Sequence, residues 1–300
     1  MAWRLRGRMM SWQGLNLFYV AEGQGPVVLL LHGYPTGSFD WHAVWPQLQA
    51  GHRLVALDFP GLGFSSKPRA LEYSLTLHAQ AVEALLDYLG RPPVHIVAHD
   101  LGVRVAQTLL VNRASDETLA PIRSLALLNG AMCPEAYRPR LVQRLLASPM
   151  GGWLGPRIPR RAFDRTITGL FGRSSPPAPE LLDDFWSLVE EGDGRLITHA
   201  VSRFWRVTPT QRNLVVNALL RSAATLRLIN GSADPNSGEA MVRRWLELAP
   251  RTDVVRMPDT GHWPQLEAPL KTAAAIRELW RRSAMERPPI IAHAARSART

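Results

Sequence analysis

One cysteine, Cys133, stands among 300 residues. A single thiol excludes an internal disulfide and any cysteine-based metal cluster, and a small buried hydrophobe is its simplest role. Long apolar runs are missing too. The longest, "VVLLL" at Val27 to Leu31, suits a buried strand and falls far short of the roughly 20 residues a membrane span needs. No span is therefore expected. The opening "MAWRLRGRMMSWQG" is basic but lacks a continuous apolar core followed by a small-residue cleavage site, so a secretory signal is not read and a cytoplasmic location is the expectation. Tyrosines are scarce, five in all, a scarcity that matters below.

The hydrophobic share of 46% and the charged share of 20% describe an ordinary globular chain, one domain with an insertion or two domains. The net charge of +10 comes from arginines spread along the chain, with short clusters at Arg4 to Arg8, Arg157 to Arg161 and Arg281 to Arg282. No binding motif accompanies them, so no nucleic-acid partner is expected and solvated surface charge is the simpler reading.

Short apolar runs alternate with helical patterns, the signature of an α/β chain with a mostly parallel sheet and helices on both faces. Strands are predicted at Asn16–Val20, Val27–Leu31, Leu54–Leu57, Val94–Ala98, Ser124–Leu128, Thr225–Ile229 and Asp253–Arg256. The first two, with no helix between them, are expected to form an antiparallel hairpin. The clearest helix is "LTLHAQAVEALLDYLG", with Leu75, Ala79, Val82, Leu85, Leu86 and Leu89 on one face and Gly90 as its stop. Between 131 and 211 the alternation gives way to prolines, tryptophans and helical stretches without a strand. That segment is expected to be a helical cap inserted into a core of residues 1–130 and 212–283. Residues 284–300 read as a flexible tail.

At "VHIVAHDLGVR" a buried strand runs into Ala98-His99-Asp100-Leu101-Gly102, and a helix follows. Small residues two positions either side of Asp100 suit a sharp strand-to-helix elbow. Asp234 follows the strand at 225–229 and His262 the strand at 253–256, so an acid and a histidine also fall at strand ends, where such a sheet builds its site. His32 and His99 are expected to fix loops by hydrogen bonds.

In these segments the chain resembles the α/β-hydrolases, which order nucleophile, acid and histidine in this way. Within them it is similar to the branch with an aspartate nucleophile, the epoxide hydrolases and haloalkane dehalogenases. The resemblance implies Asp100 as nucleophile, Asp234 and His262 as its partners, and the N–H groups of Tyr34, from "LLLHGYPTGSFDW", and Leu101 as an oxyanion hole. "DFPGLGFSSKP", "AHDLG", "LNGAMCPEAYRP" and "GHWPQLEAP" are also similar to segments of the mesoderm-specific transcript proteins. A carboxylate, unlike a serine, can attack an sp³ carbon and leave an alkyl ester on the enzyme.

Epoxide hydrolysis to a diol is therefore the expected activity on a small-molecule substrate, with no metal or organic cofactor required. Epoxide hydrolases usually supply two cap tyrosines to the leaving oxygen, and here only Tyr137 lies in the cap region. Trp41, Arg104 and His199 complete the candidate substrate-binding residues. Haloalkane dehalogenases usually place a tryptophan directly after the nucleophile, where this chain has Leu101. Fluoroacetate dehalogenases hold an arginine at the position of Arg104. A haloalkane or haloacid dehalogenase and a non-catalytic binding protein on the same scaffold are the alternatives.

Overall fold

The computed structural model describes residues 2–114 and 119–285. Its strands are β1 (Arg8–Trp12), β2 (Leu15–Glu22), β3 (Val27–Leu31), β4 (Arg53–Leu57), β5 (Val94–His99), β6 (Ile122–Leu128), β7 (Thr225–Gly231) and β8 (Asp253–Met257). They form one sheet in the order β1-β2-β4-β3-β5-β6-β7-β8. From β4 to β8 every pairing is parallel, while β2 runs antiparallel to both β1 and β4.

A strand buried on both faces needs apolar residues at every position, and all five residues of β3 are buried. Successive side chains point to opposite sides. Leu29, Leu31, Val55 and Ile96 fall in one core cluster, and Val28, Leu30, Leu54 and Val97 in the other. Before the inserted segment the chain forms α1 (Trp3–Arg6), α2 (Trp45–Gln49), α3 (Leu75–Tyr88) and α4 (Leu101–Arg113). The inserted segment forms α5 (Leu141–Leu146), α6 (Gly151–Leu154), α7 (Arg160–Thr168), α8 (Pro179–Glu190), α9 (Thr198–Val201) and α10 (Pro209–Leu220). The chain closes with α11 (Glu239–Leu248), α12 (Pro264–Glu267) and α13 (Pro269–Met285). Val82 and Leu85 of α3, Val105 and Leu109 of α4 and Trp245 of α11 cover the first face of the sheet. Leu48 of α2 and Ile276 and Leu279 of α13 cover the second. Each such side chain, fully buried, stabilises the fold by about 1.5–3 kcal/mol.

The expected helix over residues 75–89 forms as α3, capped by the Ser74 hydroxyl accepting from Leu77 N–H at 3.1 Å. The expected hairpin does not. β2 pairs with β1 and β4, and β3 with β4 and β5, so β4 lies between the two strands once expected to be neighbours. The reason is that β4 is buried at four of its five positions and fits only inside the sheet. β1 escaped notice because its pattern is weak: Met10 is buried and Met9 exposed. Between β6 and β7 the described residues form helices and turns without a strand, and α10 runs straight through residue 212. Of the expected tail, Ala284 and Met285 continue α13, and the rest lies outside the described residues.

β5 hands over to α4 through Asp100 alone, and α4 must then cross the end of β3 at very close range. Gly102 N–H donates to His32 carbonyl at 3.0 Å, and a side-chain carbon at Gly102 would sit 2.2 Å from the Leu31 carbonyl oxygen. Gly102→Ala is expected to lower stability by about 1–3 kcal/mol, read as a shifted urea midpoint. Gly152→Ala, where the nearest atom would be the tip of His199 at 3.3 Å, should shift it far less.

Candidate active site

Asp100 occupies the elbow with φ 48 and ψ −109, a backbone conformation L-residues rarely adopt. Its own N–H donates to Asn129 carbonyl at 2.9 Å, which pins the turn to the end of β6. The side chain is buried. Tyr34 N–H donates to Asp100 Oδ1 at 3.0 Å, and Leu101 N–H reaches the same carboxylate. Asp100 Oδ2 faces His262 Nε2 at 3.6 Å. Burial pushes the Asp100 carboxyl up, against the opposing pull of His262, His99 and those two N–H groups.

His262 Nδ1 donates to Asp234 Oδ2 at 2.8 Å. Asp234 is fully engaged: it accepts from Ser237 Oγ at 2.6 Å, Asn236 N–H at 2.8 Å and Asn129 Nδ2 at 3.0 Å. Asn129, which the sequence reading did not single out, also holds the Gly231 backbone at 2.8 and 2.9 Å. A polar residue directly after a buried strand and before Gly130 was the available signal. Burial alone would raise Asp234, but the His262 ring and the Ser237 and Asn236 donors outweigh it and hold the carboxyl at about 2. Burial likewise would lower His262. The charge and hydrogen bond of Asp234 and the charge of Asp100 prevail and raise it to about 9.

The loop carrying His262 is bound on several sides. His262 N–H donates to Leu170 carbonyl at 2.8 Å, and the His262 carbonyl accepts from His99 Nε2 at 2.8 Å. Glu267 Oε2 accepts from Gly261 N–H at 2.8 Å and, across on the inserted segment, from Gly172 N–H at 2.7 Å and Ser175 Oγ at 2.6 Å. His32 donates from Nδ1 to Gly33 carbonyl and accepts at Nε2 from Phe59 N–H. Both histidines thus fix loops as expected.

Against Tyr34 and His262, the two neighbours of the Asp100 carboxylate, lies a cavity of about 80 Å³ whose lining also includes Val142, Leu146, Trp186 and Thr198. The Tyr34 phenol, near the Thr198 hydroxyl, is pushed well up by burial and then by the Asp100 charge. Tyr137 is buried just behind the lining, its phenol oxygen accepting from Gln143 Nε2 and Asn236 Nδ2, each at 3.1 Å. Gln143 lines the cavity. Burial and then the Asp100 and Asp234 charges hold its pKa high and keep the phenol protonated, against the opposing pull of those two donors.

The other three candidates land elsewhere. Trp41 is fully buried in the second core cluster, because its short helical turn points it under the sheet. Arg104 is neither at the cavity nor on the helix surface; it is 1% exposed and donates to Gln107 Oε1 at 2.7 Å, because that face of α4 packs beneath α10. His199 lies against Gly151 and Gly152 of α6 and is not part of the cavity lining. No cluster of three or more His, Cys, Asp or Glu side chains able to hold a metal occurs among the described residues.

The raised His262 pKa makes stability depend on pH. The folded state holds this proton more tightly than the unfolded chain, whose histidines titrate near about 6.5. Its contribution is complete below about 6.5 and is lost as pH rises through about 9. The urea midpoint is expected to fall across that window, and Asp234→Asn should flatten the fall and lower the His262 pKa measured by NMR titration.

The sequence pattern of the alpha/beta hydrolase family matches residues 28–275. The mesoderm-specific transcript homolog protein of Bos taurus is 36% identical over an alignment of 286 residues that takes in 90% of this chain and 84% of the relative. Among solved structures, the haloalkane dehalogenase DatA from Agrobacterium tumefaciens superposes with a TM-score of 0.77 at 23% identity, covering 92% of this chain and 96% of that one. The epoxide hydrolase CorEH superposes at 0.75 with 18% identity, covering 92% and 98%. At those identities the two structures establish the shared fold. Together with the family match and the 36% relative they place the protein: it belongs to the alpha/beta hydrolase family.

Proposed function

We propose that the protein opens epoxides by nucleophilic attack of Asp100, with the inserted helices acting as a cap over the reacting carbon. The observation that carries this reading is the split environment of one buried carboxylate: Oδ1 sits on the N–H of Tyr34, and Oδ2 is turned toward His262. Oδ2 attacks an epoxide carbon, the C–O bond breaks, and the departing oxygen takes a proton from a phenol. The product of that step is a hydroxyalkyl ester.

The phenols proposed for this are Tyr34 and Tyr137. Only one tyrosine was expected from the cap, and the second comes from the loop after β3. Both are buried and held protonated, as a general acid must be. Leu101, by contrast, offers a halide no side-chain N–H. The cavity, small beside the roughly 300–1,000 Å³ of typical ligand pockets, suits a slender terminal epoxide.

Esterification also prepares the second step. It cancels the negative charge on Asp100, one of the charges that raises His262. At an effective dielectric near 20, two charges about 4 Å apart interact by about 4 kcal/mol, so losing that partner lowers the imidazole toward neutrality, and the proton it sheds returns to the phenolate left by the first step. His262, oriented by Asp234, then takes a proton from water, hydroxide adds to the ester carbon, and the N–H groups of Tyr34 and Leu101 stabilise the oxyanion. The diol leaves and the carboxylate is restored.

His262→Gln should permit attack but block hydrolysis. After incubation with mixed terminal epoxides and haloalkanes, intact mass and peptide mapping are expected to find a hydroxyalkyl adduct on Asp100. A plain alkyl adduct would move the assignment to dehalogenation, and no adduct on folded protein would favour a binding scaffold. Tyr34→Phe is expected to slow alkylation by epoxides about 10²–10⁴-fold while leaving alkylation by an alkyl bromide within a few fold, measured by single-turnover mass spectrometry.

A further inference from the structure

We propose that the outer face of α5 and α6 docks the protein on an anionic lipid surface. Four large apolar side chains stand out there: Leu141 is 71% exposed, Leu145 44%, Met150 59% and Trp153 57%. Leu141 and Leu145 are one helical turn apart on α5, and Met150 carbonyl accepts from Trp153 N–H at 3.0 Å. A cluster of this kind on an otherwise polar surface marks a site of interaction.

The charge around it is one-sided. Between residues 138 and 178 the sequence holds eight arginines and a single acid, Asp164, so this stretch carries seven of the chain's ten net positive charges. The short cluster at Arg157 to Arg161 read from the sequence belongs to this stretch. Arg160 is spent on Asp164 and Asp183; the other seven form no ion pair with a described carboxylate. Arg157 stacks 4.6 Å over the Trp153 ring and donates to its carbonyl at 2.8 Å. An outward indole with a guanidinium beside it suits the boundary between acyl chains and headgroups.

Exposed apolar residues with cations beside them, Arg144 on α5 and Arg157 over Trp153, match a bilayer bearing negative headgroups. Nucleic acid would have no use for the exposed leucines, and a second copy would bring one arginine-rich face against another. The other side of α5 and the turn after α6 strengthen the choice: Val142 and Leu146 of the helix, and Gly155 and Ile158 of that turn, line the cavity. The docking face is thus the back of the cavity wall, and an apolar substrate dissolved in the bilayer lies one helix away from Asp100.

The test is co-sedimentation of the full chain with vesicles of phosphatidylcholine alone or with an equal part of phosphatidylglycerol. Binding is expected only to the mixed vesicles, weakening as salt rises. Leu145→Ser with Trp153→Ser, and separately Arg144→Gln with Arg161→Gln and Arg165→Gln, should each reduce it, the arginine set by about a hundredfold. Thermal midpoints should stay unchanged. Wild-type protein left in the supernatant, equal binding to neutral vesicles, or variants that bind as wild type would overturn the proposal. So would binding of duplex DNA, or dimerisation through this face, without vesicle binding. The readout needs no turnover, so a failure of the Asp100 chemistry would leave it standing.

Discussion

A buried negative charge can be kept only where donors surround it, and Asp100 is surrounded because α4 begins against the end of β3. Gly102 permits that contact. It brings the Leu101 N–H to the carboxylate, lets the loop after β3 deliver the Tyr34 N–H, and sets Asn129 against the Asp100 backbone. The two core clusters on the faces of the sheet hold the strands in the register this junction needs.

From there outward, the site is governed by how two carboxylates divide one imidazole. Asp234 is saturated with donors and stays ionised, whereas Asp100 is less completely satisfied and burial raises it. One is equipped to remain a charge and the other to lose it. The difference lies in neighbours rather than residue type, since the side chains of Ser237 and Asn129 and the N–H of Asn236 donate to the Asp234 carboxylate and not to that of Asp100.

Much of this was legible in the sequence. Short apolar runs revealed β2 to β8, most plainly β3, which is buried and apolar at every position because both its faces are covered. Asp100, Asp234 and His262 could be found because each follows a strand, and strand ends converge at one edge of a parallel sheet. What a chain does between distant segments was not legible. The place of β4 between β2 and β3 depends on pairing, and Trp41, Arg104 and His199 miss the cavity because of how α4, α6 and α10 pack. Tyr34 was recognised for its backbone, while its phenol entered the site only once the inserted helices were seen to close over it. Glu267 lay inside a quoted motif, yet its partners Gly172 and Ser175 are more than ninety positions away.

That glutamate has a mechanical meaning. Because one carboxylate oxygen grips both the loop before His262 and the turn after α7, and because His262 N–H is itself held by Leu170, the inserted helices and the imidazole are fastened as one body. Lifting those helices would drag the ring from its seat against Asp234. In the proposed reaction, admission of a new guest and activation of water would then alternate, and the ester would be shielded from stray solvent for as long as the imidazole is seated.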